Sequence, residues 1–411
     1  MVNRNWATNI TFQDAETIHP QSVTDLQELV HTSEKIRARG SAHCFNTIAD
    51  TREVAVILDQ MPDLMEIDET RKKVRVGAGV KYAQLAEFLF PKGWALHNLA
   101  SLPHISLAGA VSTGTHGSGI KNGALHTAVS SVELIGADGS LRQVTRGIDS
   151  NFYASIVSLG LAGIATSFEL EIEPSFEIMQ TVYGDLPRAT FQENLIEILS
   201  GAYSVSYLTT WGDNKAGDLW FKSKSPPPAQ YFGALPRTEK AHPIFGVDPD
   251  ACTEQFGVSG PWHLRLPHFR IDANPSLGNE LQSEFFVASE NAAAAFAILE
   301  EISSNIRHKL LVTEVRAIAA DEHWLSPAYQ RETVAFHCTW ENDPEVPALV
   351  AVIESALQRF AIRPHFGKVF NLSGEHLARV LPRFSEFKEH ISEIDPHGKF
   401  QNEFTSALLS F

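Results

Sequence analysis

Cysteine is scarce: Cys44, Cys252 and Cys338 form an odd, widely scattered set, which excludes a disulfide framework and a cysteine-based metal site and reads as reduced thiols. Positive charge is in deficit. The chain carries 33 Lys+Arg against 49 Asp+Glu, a net charge of −16, and such a surface repels phosphate backbones and anionic lipid, so nucleic acid and membrane partners are not expected. No apolar run approaches the roughly eighteen residues of a membrane-spanning helix, and residues 1–11 lack the basic stretch and apolar core of a leader. A cytoplasmic protein is the expectation. No repeat of fixed period, P-loop, H-E-x-x-H or G-x-S-x-G pattern occurs. Gly77-Ala78-Gly79 begins a dinucleotide pattern, but Tyr82 stands where its third glycine belongs, which disfavours a Rossmann NAD site.

What is present is the composition of a globular enzyme, 44% hydrophobic and 20% charged over 411 residues. That length accommodates two domains of about 200 residues each. Ser22 and Asp25 signal the start of a short amphipathic helix through His31, and Leu26, Leu29 and Val30 recur at helical spacing. The β-branched density at Val54–Leu58 and Val74–Val76 predicts strands, and Val80–Phe90 returns to helical periodicity. Val132–Ile135 and Leu141–Val144, joined by Ala137-Asp138-Gly139-Ser140, predict a hairpin. From Ile164 to Glu173 the alternation of Phe168, Leu170 and Ile172 with Glu169, Glu171 and Glu173 predicts a half-buried strand ended by Pro174. Beyond it, Ser223–Pro228 reads as a loop, whereas Ser289–Asn305 and Pro347–Phe360 read as helices. The expected class is α+β, with one domain built from residues 1–174 and 369–411 and a second from 175–368.

Two small-residue segments stand out. Gly109-Ala110-Val111-Ser112-Thr113-Gly114-Thr115-His116-Gly117-Ser118-Gly119 has four glycines in eleven residues; backbone N–H groups and hydroxyls there can approach an anion closely, as in a pyrophosphate cradle, although a mobile surface loop has the same composition. Arg39-Gly40-Ser41-Ala42-His43-Cys44-Phe45-Asn46 sets one histidine among tiny neighbours, with no second ligand at metal spacing. Farther on, Glu314 and Arg316 lie two apart, as do His337 and Thr339, so each pair shares a face if its segment is a strand. His365-Phe366-Gly367-Lys368 supplies a third polar cluster. A carboxylate beside a guanidinium can bind a polyol, though each pair alone is equally an ordinary ion pair.

Together these segments resemble the FAD-linked oxidases of the vanillyl-alcohol-oxidase (PCMH-type) fold, specifically the aldonolactone/alditol oxidase branch, and the resemblance extends over essentially the whole chain. Ala38 to Asn46 resembles the family's first phosphate loop, so Ala38, Arg39, Gly40, Ser41, Ala42, His43 and Cys44 are implied to bind FAD, with His43 bonded covalently to the flavin. Ser101-Leu102-Pro103-His104-Ile105-Ser106-Leu107-Ala108-Gly109-Ala110 resembles the second loop, which implies cofactor contacts from Ser101, Ser106, Gly109, Ala110, Val111, Ser112, Gly114, Thr115 and His116. Gly160–Thr166, with Gly163 and Ile164, resembles the segment at the adenine end, and Asp395–Asn402 the D-P-x-G-x-F-x-N return to the flavin domain. Cys44 stands where a serine is usual, and Phe366 where the lactone relatives carry Trp.

The order Glu-x-Arg, His-x-Thr, His-x-Gly-Lys is similar to the polyol-oxidising members. It implies a catalytic set of Glu314, Arg316, Lys368 and His337, with Ser101, Glu314, Arg316, Thr339 and Lys368 binding a sugar alcohol whose C1 hydroxyl is oxidised while O₂ becomes hydrogen peroxide. His337, Lys368 and ordered water all remain open as the proton acceptor. An aldonolactone oxidoreductase is the near alternative, and a flavin-binding protein without alcohol chemistry the distant one. No metal is expected, and a monomer is compatible with a sequence that carries no trace of assembly.

Overall fold

The computed structural model describes residues 3–273 and 280–410. Ser22 caps the first helix, Val23–Thr32, by accepting from the Asp25 N–H, and Leu26 and Val30 bury its inner face. That helix separates the first strands, Glu16–Ile18 (β1), Ile36–Ala38 (β2) and Val54–Val56 (β3), which pair in parallel in the order β1-β3-β2. Met65–Asp68 (β4) and Lys73–Gly77 (β5) then lead into the helix Tyr82–Leu89, followed by the short strand Trp94–Ala95 (β6). The predicted hairpin is Val129–Ile135 (β7) with Leu141–Thr145 (β8), and its turn places Gly139 at φ +80°, where a side chain would be strained. Ile164–Glu171 (β9) completes an antiparallel sheet ordered β4-β5-β9-β7-β8. Pro174 does not end the pairing: Glu173–Pro174 (β10) pairs with β6 as a two-residue ribbon, an edge position that tolerates a residue without an N–H.

The rest of the chain builds one antiparallel sheet. Its strands are Glu177–Pro187 (β11), Ser204–Thr209 (β12), Ala216–Ser223 (β13), Leu235–Pro236 (β14), Ser259–Pro261 (β15), Glu280–Ala288 (β16), Leu310–Ile318 (β17), Thr333–Glu341 (β18) and Arg363–Pro364 (β19). They run in the order β14-β11-β13-β12-β17-β18-β16-β19, with β15 also on β11. The alanine-rich helix occupies Ala292–Ile306 after a single 3-10 turn, and Val346–Leu357 forms the other. Both pack on one face of the central strands, against Val315, Ala317, Phe336, Trp340, Phe285 and Val287.

Strand alternation therefore sends Glu314 and Arg316 of β17, His337 and Thr339 of β18, and Gln282 and Glu284 of β16 to the opposite face. This face is also buried, because the first part of the chain lies on it. Gly119 donates its N–H to the Ala317 carbonyl and bridges to Ile318, while Ala319 N–H bonds Asn122. The tail returns to β2: Arg37 donates to the carbonyls of Ile48, Leu159 and Phe400, and Asn402 caps the last helix, Glu403–Leu409.

Candidate functional site: a buried polar sheet face beneath two clasped loops

The two small-residue segments hold one another. Ser41 N–H donates to Ser106 Oγ and Ser106 N–H to Ser41 Oγ, both at 3.2 Å. A methyl group on Gly40 would come within 2.1 Å of Ser106 Oγ, and one on Gly109 within 2.9 Å of it, so only glycine lets the segments close to this distance. The cradle is not wholly a loop, as composition suggested. Leu107–Ser112 winds into a short helix behind Ser106, and Gly114 follows it at φ +71°.

A single long cavity runs from Gly160 and Gly163, past Gly40–His43 and Ala110, Ser112 and Thr113, to Arg316 and Lys368. Ala38, Arg39, Cys44, Ser101, Ser106, Gly109, Thr115 and His116 line it as well. Val111, Gly114 and Ile164, also expected at the cofactor, do not. The side chains of Val111 and Ile164 are buried in the apolar core, and Gly114 packs against Pro327 and Val157. Arg39 has a structural partner: it donates to Asp14 at 2.6 Å and lies over the Phe12 ring.

His43 is stacked on Trp6 at 4.2 Å between ring centres and meets the edge of Phe45. Its Nε2 is buried without a partner among the described residues, and burial lowers its pKa to about 4, so the ring is neutral. Burial pushes the Cys44 thiol up to about 11, which keeps it protonated and inert near neutral pH. An elongated cavity with small-residue walls and an orphaned ring nitrogen fits a dinucleotide flavin.

At the other end the sheet register sets the chemistry. Glu284, His337 and Glu314 stand directly opposite one another across β16, β18 and β17, and Gln282, Thr339 and Val312 form the next row. Arg316, two residues beyond Glu314, donates to Glu284 and to Ser101 Oγ, both at 3.3 Å. Lys368 arrives on a turn pinned from two sides. Its N–H bonds the His365 carbonyl, Val369 N–H bonds Gln282, and Asn46 of the first loop donates to the carbonyls of Phe366 and Lys368. From there its Nζ reaches Glu284 Oε2 at 2.7 Å.

Charge in this cluster is fixed by pairing. Burial alone would raise both carboxylates, but Lys368, His116 and Arg316 hold Glu284 well below the usual range, and Arg316 and His268 do the same for Glu314. The histidines are neutral: burial lowers His337 to about 3 and His268 to about 4, and carries His116 and His365 down too. Among the described residues His337 has no hydrogen-bond partner on either ring nitrogen, whereas Lys368 is tied to Glu284.

The structure thus brings Ser101, Glu314, Arg316, His337, Thr339 and Lys368 to one wall of the cavity. His116 belongs here rather than along the phosphate cradle, since its Nε2 lies 3.1 Å from Glu284. Sequence reasoning missed Glu284, His268, Lys222 and Trp6. Glu284 had a signal: Glu280, Gln282 and Glu284 alternate with Leu281 and Phe285 just as Glu314 and Arg316 alternate with Val315. His268 had none, being a lone histidine on an irregular segment.

A model described as an FAD binding domain matches residues 15–145, and one described as D-arabinono-1,4-lactone oxidase matches 277–408. The chain is 42% identical to an alditol oxidase from a Streptomyces species over 98% of both chains. It is 23% identical to the L-gulonolactone oxidase of Mus musculus, across 99% of this chain and 98% of that one. The solved structure of cholesterol oxidase from B. sterolicum superimposes with a TM-score of 0.79 at 14% identity, covering 99% and 96% of the two chains, a likeness of fold. Among the described residues no helix is long and apolar enough to cross a membrane. With its two-loop flavin cavity and its near-complete match to such a relative, the chain belongs to the family of FAD-linked oxidases that includes alditol oxidase and the aldonolactone oxidases.

Proposed function

We propose that the protein oxidises the terminal C1 hydroxyl of an alditol such as xylitol or sorbitol to the aldose, with dioxygen reduced to hydrogen peroxide. One observation carries this reading: a guanidinium and an ammonium, Arg316 and Lys368, converge on the buried end of the flavin cavity beside an unpartnered neutral imidazole. The 42% identical relative, an alditol oxidase, supports the substrate class. We assign the FAD-binding domain to residues 1–174 and 369–411 and the substrate domain to 175–368, matching the separation of the sheets.

Bound FAD supplies a two-electron acceptor, and the residues do the rest. Arg316 and Lys368 stabilise negative charge developing on the C1 oxygen, in a setting where water does not screen them. Glu314 accepts from the C2 hydroxyl and holds the C1/C2 end in place, while Ser101 and Thr339 hold the hydroxyls farther along the chain. His337 stands between Glu284 and Glu314 with no hydrogen bond to either ring nitrogen among the described residues; burial lowers it to about 3, so it is a weak base, and the two carboxylates beside it are what would stabilise the imidazolium if it takes the hydroxyl proton.

Oxygen consumption should follow addition of xylitol or sorbitol, and a galactono- or gulono-lactone should be turned over poorly. The opposite ranking would transfer the site to lactone oxidation, the activity named for the more distant relatives. Yellow colour surviving acid precipitation is expected from a covalent bond between the flavin and His43. His43→Ala should then lose its colour on precipitation while still binding FAD in the folded state. A colourless precipitate from the unaltered protein would remove the covalent bond from this reading.

A further inference from the structure

The sheet face that carries Glu314 continues across β12 to β13, where Lys222 points into the same layer. Lys222 is a lysine with 1% exposure and no carboxylate within ion-pair distance among the described residues. Its ammonium donates to the Leu266 carbonyl and to His268 Nδ1, the latter at 3.3 Å. On the far side of the ring, His268 Nε2 meets Glu314 Oε1 at 3.0 Å. The backbone of the same segment donates twice to the Ser101 carbonyl, from His268 at 3.1 Å and Phe269 at 3.2 Å, so it fixes two of the groups proposed to bind the polyol.

The donor count settles the tautomer. A charged Lys222 has no lone pair, so His268 Nδ1 must accept, and the ring's one proton sits on Nε2 and is given to Glu314. We infer that Lys222 and His268 are positioning residues for Glu314: Lys222 sets the tautomer of His268, and His268 ties down Oε1 of Glu314 so that Oε2 faces the substrate. The inference rests on the polyol reading and extends its site by two residues. A mere space-filling role would not require a buried ammonium, since burying a charge is costly unless it is used.

The arrangement has a pH signature. Burial depresses Lys222 to about 7, against the attraction of Glu314, with Arg316 lowering it further and Cys252 opposing. These, with His268, are the ionisable groups facing the amine; Gln180 and Ser204, its neighbours across β11 and β12, do not titrate. Above that pH the neutral amine keeps two N–H groups but can also accept, so the charge that forbids the Nδ1–H tautomer is gone and the hold on Glu314 weakens as the proton leaves.

Anaerobic reduction of the FAD-loaded protein by xylitol, followed from pH 5.5 to 9 at varied substrate concentration, separates binding from the limiting rate. The wild-type KM is expected to rise through a transition near pH 7. Lys222→Met should raise KM by about tenfold at pH 6 and abolish the transition, as loss of one charge-assisted hydrogen bond implies. His268→Gln retains an N–H toward Glu314 whatever the state of Lys222, and should restore a low KM that no longer responds to pH. A Lys222→Met protein with the wild-type KM and transition would overturn the inference alone. So would a His268→Gln protein as impaired as His268→Leu. Wild-type flavin that xylitol cannot reduce would overturn the polyol reading, and this inference with it.

Discussion

Lys368→Met is expected to slow anaerobic reduction of the flavin by xylitol about a hundred- to a thousandfold, with FAD still bound. The size follows from what the ammonium does: removing one donor aimed at a developing oxyanion in a water-poor site costs about 3–4 kcal/mol. Methionine approximates the stem of lysine, so packing on the turn that follows β19 is preserved, and the turn itself is held by main-chain bonds to Gln282 and Asn46 that the substitution does not touch. The effect should fall on the limiting rate more than on KM, because charge at the C1 oxygen is greatest in the transition state. Stopped-flow absorbance of the flavin reads both, and near-normal reduction would remove Lys368 from the chemistry.

Much of this site was legible in the sequence because strand alternation is a local signal. Glu314 and Arg316, or His337 and Thr339, share a face by period alone once their segments are strands, and β17 and β18 bear this out. What no local signal carries is registry between distant strands. That Glu284 would stand opposite His337, or that a segment near residue 268 would reach Glu314, depends on the sheet order β13-β12-β17-β18-β16. The glycine-rich stretch shows the converse limit. Its smallness marked a close approach, realised where Gly40 and Gly109 meet Ser106, but small residues also suit a helix, and Leu107–Ser112 forms one. Val111 and Ile164 were assigned to the cofactor by position in a motif; their apolar side chains fill the core, which leaves their backbone as the part that could meet it. The resemblance located segments; the direction of each side chain came from the fold.

Glu284→Leu should be the most damaging single change to stability, although Glu284 was absent from the sequence-based site. Its carboxylate receives Lys368 at 2.7 Å and Arg316 at 3.3 Å and lies 3.1 Å from His116, in a layer where each of these groups is buried. Breaking a buried pair by removing one partner costs about 3–5 kcal/mol, since the remaining charge is left without compensation. For a domain of this size that corresponds to a fall of roughly 10 °C in the melting temperature, measurable by circular dichroism. The variant also carries a diagnostic sign. Burial already lowers Lys368, and Glu284 is the largest influence holding it up, so without that carboxylate its pKa must fall further. Flavin reduction by the variant should then recover as pH is lowered, when Lys368 regains its proton, and Glu284→Gln should show the same trend with a smaller loss of stability. A Glu284→Leu protein that melts with the wild type would mean that Lys368 and Arg316 find solvent or other partners, and the buried cluster would lose its claim to fix charge at the C1 oxygen.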